Sequence, residues 1–137
     1  MDNSLITDKI LKAFKHHDIE VPDGFIWALN HNLIGLDTFS QLEPWHLCDI
    51  PEIIPLSKRW KKIRLKRTFI PFARRQDCDE LACFEVISGK VVKICTIHYQ
   101  LHSDGIPTDI EILDEHPSFW DWLKSVVSDI EQWVQVQ

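Results

Sequence analysis

The residues that could do chemistry in this 137-residue chain are seven histidines, four cysteines and one compact acidic cluster. His98, His102 and Asp104, with His116 beyond them, come nearest to a metal-ligand set. They fall at an expected strand end and in the loop after it, without the fixed geometry that a helix gives ligands at i and i+4. Hydrogen-bonded or solvated loop histidines are the plainer reading, and no metal is assigned. His16, His17 and His31 belong on solvated helix faces, since no second ligand stands at supporting spacing. Cys48, Cys78, Cys83 and Cys95 are scattered or lie within expected strands, which suits reduced, buried thiols better than a disulfide framework or an activated nucleophile. Ser88 lacks a Gly-x-Ser-x-Gly context, and the four glycines are isolated, so no phosphate-cradling loop is present. No acid–base or metal set converges. The expectation is a protein that is not an enzyme and carries no cofactor.

Asp77, Asp79 and Glu80 cluster between two expected strands. A calcium loop would need more oxygen ligands at the spacing of the twelve-residue motif. Two readings stay open, a solvated hairpin turn and an acidic patch that faces a partner. Charge is uneven along the chain. Residues 58–75 hold nine bases and no acid, whereas residues 104–137 hold eight acids against one base, Lys124. Such asymmetry points to two electrostatic faces. The basic run could neutralise a phosphate backbone, but the net charge of −6 and the lack of a stacking-aromatic or helix-turn-helix pattern favour a short helix with a solvated cationic face. No nucleic-acid partner is expected, and a small-molecule ligand is not expected either.

These residues need elements to position them. Residues 4–17 place Leu5, Ile6, Ile10, Leu11 and Phe14 at helical spacing. Pro22-Asp23 starts a second helix through Phe25, Ile26, Leu29 and Leu33, with Gly35 as its stop. Residues 36–42 are a candidate short strand. Prolines at 44, 51 and 55 break residues 43–56 into turns, and Leu56, Trp60 and Ile63 then share one helical face. Residues 69–73, 81–86 and 91–99 read as three strands, joined by the turn at 74–79 and by Ser88-Gly89, where glycine supplies the positive φ of a tight hairpin. The third carries apolar residues on both alternating sets, with Lys93 its one charge, and so reads as central and covered. A loop over 100–108 leads to a short strand at 109–113.

The last helix is the best marked. Ser118 and Asp121 form a variant capping box, and Phe119, Trp122, Leu123, Val126, Ile130 and Trp133 trace a broad apolar stripe. Trp120 stands two residues from Trp122 and cannot share its direction, which makes it a stripe-margin or exposed contact. The composition, with 45% hydrophobic and 26% charged residues, is that of a globular chain, and the length suits one domain over 1–137. No apolar run reaches the ~18–20 residues that span a bilayer, and the first residues lack the pattern of a signal peptide, so a cytoplasmic protein without membrane association is expected. Six tryptophans in so small a chain suggest that some sit at the surface as interface anchors.

Several of these segments occur in an order similar to that of the SUKH superfamily, the Smi/Knr-like domains. The resemblance rests on Phe69-Ile-Pro-Phe-Ala-Arg74, the acidic turn, Glu80-Leu-Ala-Cys-Phe-Glu85, Lys90-Val-Val-Lys-Ile94 and Ser118-Phe-Trp-Asp-Trp-Leu123, with Val21-Pro-Asp-Gly-Phe25 similar to the family's Leu-Pro-x-x-Phe/Tyr segment. It covers residues 20–135. In one respect the chain departs, since Asn30-His-Asn-Leu-Ile-Gly35 separates the Asn-Gly pair that often ends the second helix of such domains. The resemblance implies an α+β fold with a mixed or mostly antiparallel sheet and flanking helices, no catalysis, and protein binding. Bacterial members of this kind are immunity proteins that neutralise polymorphic or contact-dependent toxins, often nucleases, by direct binding. The alternative is a regulatory interaction domain of the cell-wall-regulator type. The residues assigned to partner binding are Asp77, Asp79, Glu80 and Trp120.

Overall fold

The computed structural model describes residues 3–35, 40–48, 68–101 and 107–135. Helices α1 (Asn3–His16) and α2 (Asp23–Asn30) come first. Strands β1 (Trp45–Leu47), β2 (Thr68–Arg75), β3 (Glu80–Ile87), β4 (Lys90–Leu101) and β5 (Pro107–His116) follow, and α3 (Phe119–Gln135) comes after them. The strands form one antiparallel sheet in the order β1-β2-β3-β4-β5. The fold is α+β, an antiparallel sheet with flanking helices.

The central strands lack a solvated side. In β3, Leu81, Ala82, Cys83 and Phe84 are all buried, and in β4 Ile94, Cys95, Thr96 and Ile97 are buried too. This is the covered strand that the apolar residues on both alternating sets of β4 predict. Ser88 (φ 52°) and Gly89 (φ 78°) make the β3–β4 turn, and two successive positive φ values match the right-handed twist of the strands they join. A Cβ on Gly89 would lie 2.6 Å from the Asp18 carbonyl oxygen, while the Glu20 N–H donates to the Gly89 carbonyl at 2.9 Å. The hairpin turn is therefore seated on the α1–α2 connection.

Aromatic rings fill the space between helices and sheet. Phe72 and Phe84 stack with centroids 4.1 Å apart, and Phe25 packs edge-on against both at 5.4 and 5.0 Å. Phe14 of α1 reaches Phe84 at 5.8 Å, and Trp122 of α3 reaches Phe72 at 4.9 Å. Fully burying a ring of this size contributes roughly 1.5–3 kcal/mol. Helix α3 starts at the expected cap, with the Asp121 N–H donating to Ser118 Oγ at 3.2 Å, while the Asp121 carboxylate accepts from the Ser118 hydroxyl at 2.7 Å instead of from the backbone N–H of a full capping box. Its later turns are tied to the β1 region, where the indole N–H groups of Trp45 and Trp133 donate to Asp129 and Glu43 at 2.9 and 3.4 Å.

Four local expectations change. Helix α2 stops before Gly35, because Asn32 takes the left-handed conformation (φ 54°) and the Leu33 N–H closes back on the Ala28 carbonyl at 3.0 Å. That is a Schellman-type cap, with asparagine in the role usually given to glycine. Residues 41–44 are a turn, and the strand next to it is β1, which pairs Trp45 with Arg75 and Leu47 with Ala73. The strands of the last hairpin are longer than expected, since β4 reaches Leu101 and β5 begins at Pro107. Cys78 is exposed, whereas Cys48, Cys83 and Cys95 are buried, and all four are free thiols. Residues 36–39 of the expected strand, the helix expected around residues 56–63, and residues 58–67 of the basic run lie outside the described residues.

Candidate partner-binding site

The assigned residues do not form one patch. Trp120 is 46% exposed on α3, and its ring lies 5.4 Å from that of Trp27 on α2, itself 40% exposed. The two indoles meet at 52°, and His31 packs on Trp27 at 4.7 Å with its Nδ1–H donating to the Trp27 carbonyl at 2.9 Å. Gly24 makes the arrangement possible. A Cβ there would stand 2.7 Å from Phe119 Cδ1 and 3.1 Å from Trp120 Cε2, so only glycine lets the first turn of α3 settle on α2 without displacement. Val127 and Val134, 61% and 63% exposed, lie farther along the same side of α3, with the exposed Lys124 and Glu131 interspersed. Residues 120, 127 and 134 recur every seven positions and so line one side of the helix.

The acidic turn belongs to a different flank. Arg75 at the end of β2 donates from Nε and Nη2 to the two carboxylate oxygens of Asp77, both at 2.9 Å, and its Nη1 lies 3.7 Å from Asp129 on α3. The guanidinium also sits 5.7 Å over the Trp45 ring. Nine residues at about 100° each place Asp129 about 180° around α3 from Trp120. Trp120 and the Asp77 turn thus point to opposite sides of the same helix. Asp77 is engaged within the chain, and its hydrogen bonds from Arg75 hold its carboxyl below the ordinary carboxylate range against the opposing effect of burial. Burial alone would lower the Arg75 guanidinium, but Asp77 and Asp129 more than offset it. Glu80 accepts from the Cys78 thiol at 3.3 Å, and partial burial together with this carboxylate pushes the thiol up to about 12. Asp79 is exposed.

One cluster had no sequence signal, because its members meet only through strand register. Glu85, Lys93, Cys95 and Glu115 come from three adjacent strands, with Glu85 opposite Lys93 and Cys95 opposite Glu115. The Lys93 ammonium lies 3.7 Å from Glu85 and 3.3 Å from Glu115, and one ligand atom from each of Glu85, Cys95 and Glu115 falls within 4.8 Å of the others. Two carboxylates and a thiol are a possible cation cage. Lys93 already supplies a cation among them, and it compensates the nearly buried Glu85. Of the histidine set, the two described members, His98 and His116, stand apart. His116 pairs opposite Ile94 while His98 pairs opposite Glu111, which sets the two about 13 Å apart along the ladder. His102 and Asp104 lie outside the described residues.

An open groove of about 270 Å³ runs between the α1–α2 connection and β4, lined by Glu20, Val21, Pro22, Asp23, Lys90 and Val91. It carries two acids and one base. Among the described residues no helix is long and apolar enough to cross a membrane. Compared with protein-family models, curated proteins and solved structures, the chain matches none.

Proposed function

We propose that this chain is a protein-binding domain of the SUKH, Smi/Knr-like kind and acts as an immunity protein, neutralising a toxin domain by direct occlusion in the cytoplasm, without catalysis or a cofactor. The observation that carries the reading is the exposed Trp27–Trp120 pair. Tryptophan is the residue most enriched among binding hot spots, and burying a pair of indoles in a partner's pocket supplies affinity with little rotamer entropy to lose.

Charge supports the cationic class of toxin. A nuclease must hold a phosphate backbone and therefore presents basic surface, whereas this chain carries a net charge of −6, with eight acids against one base over residues 104–137. Opposite net charges speed association between such partners. The order of segments that resembles the SUKH superfamily runs through α2, β2, β3, β4 and α3, and the α+β class agrees with it.

The test is co-expression with the toxin encoded beside the gene, scored by growth and by co-purification. Rescue together with a stable complex is the expected result. Replacing Trp27 and Trp120 by alanine should weaken the complex by roughly 30-fold or more per hot-spot residue, at about 2 kcal/mol each. A complex that forms without relief of toxicity would turn the reading to a regulatory interaction domain, and no complex at all would remove protein capture from this gene pair.

A further inference from the structure

The last strand of the sheet differs from the others in exposure. In β5 the five successive residues Glu111, Ile112, Leu113, Asp114 and Glu115 are all exposed, so the strand is open on both faces. Ile112 and Leu113 are 38% and 41% exposed. β5 pairs only with β4, and among the described residues nothing pairs with its outer edge. Such an edge presents unpaired N–H and C=O groups and is a template for a further strand.

Its charge restricts what can pair there. Asp109, Glu111 and Asp114 lie within Pro107–His116, which contains no lysine or arginine, while the Glu115 carboxylate is already engaged by Lys93. Acids on an open edge repel a second copy of the same strand. They attract an extended segment that carries lysine or arginine at alternate positions. Register shifts opposite Thr96/Ile97 and Gln100/Leu101 leave Leu113 and Thr108 as extra residues, so regular pairing is limited to residues 109–112 and 114–116. These bulges shorten the added strand and further disfavour indiscriminate edge pairing.

We infer that the outer edge of β5 takes an extended, cationic segment of the protein partner as a sixth strand. The inference rests on the protein-binding reading above but names a surface other than the Trp27–Trp120 pair. The experiment uses the full chain and two synthetic ten-residue peptides, one alternating lysine with valine and one alternating backbone-N-methylated lysine with proline, which has the same charge but no strand N–H groups. Amide exchange and binding are measured at ~50 mM salt, where surface electrostatics are only partly screened. The expected result is slowed exchange over residues 109–116 with the valine peptide alone, lost in an E111K/D114K variant whose thermal unfolding is unchanged. Equal binding of both peptides without amide protection, protection elsewhere, or no binding would each overturn the assignment. Because the probe is a peptide, this failure leaves capture of the toxin by the tryptophan pair standing.

Discussion

Arg75 is the residue on which the reassignment of the acidic turn depends, and Arg75→Ala tests it. Its guanidinium forms a two-pronged pair with Asp77, approaches Asp129 and covers Trp45. Side-chain exposures of 19% for Arg75 and 31% for Asp77 place the pair between surface and interior. Allowing for solvent screening, the ion pair contributes about 0.5–1 kcal/mol. The cation over an indole adds about 0.5–1 kcal/mol. Removal also leaves Asp77 and Asp129 without their shared cation. The expected loss is about 1–2 kcal/mol, read by urea unfolding at pH 7, with a Tm decrease of roughly 3–8 °C for a chain of this size.

The pH dependence has a defined sign. Because Asp77 titrates below its ordinary value in the folded chain, its contribution is fully present above the unfolded carboxylate pKa of about 4 and is lost as pH falls through the depressed folded value. The difference in stability between parent and Arg75→Ala should therefore shrink below about pH 4. A double-mutant cycle with Asp77→Ala should show coupling, while Asp79→Ala should be neutral. Parent and Arg75→Ala agreeing within about 0.5 kcal/mol at pH 7, the range of ordinary surface substitutions, would refute a stabilising Arg75–Asp77 pair and return Asp77 to the pool of partner-facing acids.

Three further outcomes are expected. Gly24→Ala forces a Cβ to 2.7 Å from the Phe119 ring, so it should cost about 1–3 kcal/mol as overpacking and shift the indole signals of Trp27 and Trp120 in NMR spectra. Cys78 should react slowly with a disulfide reagent at pH 7.5 despite its exposure, because its thiol sits at about 12; Glu80→Gln should accelerate labelling, and Cys48, Cys83 and Cys95 should label only after unfolding. Ser118→Ala removes the α3 cap and should lower stability by about 1 kcal/mol, measured by chemical denaturation.

Legibility followed how local each determinant is. The β3–β4 turn, the Ser118 cap and the exposure of Trp120 were readable because each depends on residues within a few positions of one another. Strand β1 was hidden by its length of three residues, which is too short for alternation to register. The end of α2 was misplaced because Asn32 supplied the left-handed residue expected at Gly35. The sequence carries no signal for the role of Trp27, since its partner Trp120 is distant in sequence, and no spacing rule links residues on different helices. The same reason hid the Glu85–Lys93–Glu115 cluster. The sequence shows the carboxylates of the turn but not the return of Arg75 across Asp77, which depends on how the end of β2 folds back.

The order of the sheet also has a kinetic meaning. Since β2 to β5 each pair with the strand before them, most of the ladder closes through short loops, and loop closure costs little entropy at these separations. Docking of the helices is the long-range part of folding: Phe14 and Phe25 of α1 and α2 meet Phe84 of the sheet, and for α3 the bond from Trp45 to Asp129 joins positions 84 residues apart and that from Trp133 to Glu43 positions 90 apart. Hairpins should therefore form before α3 seats, and changes at its contacts with β1 should act on the unfolding rate more than on the folding rate. On that route the surface carrying Trp120 is completed last, so a partner that holds it would slow the first step of unfolding.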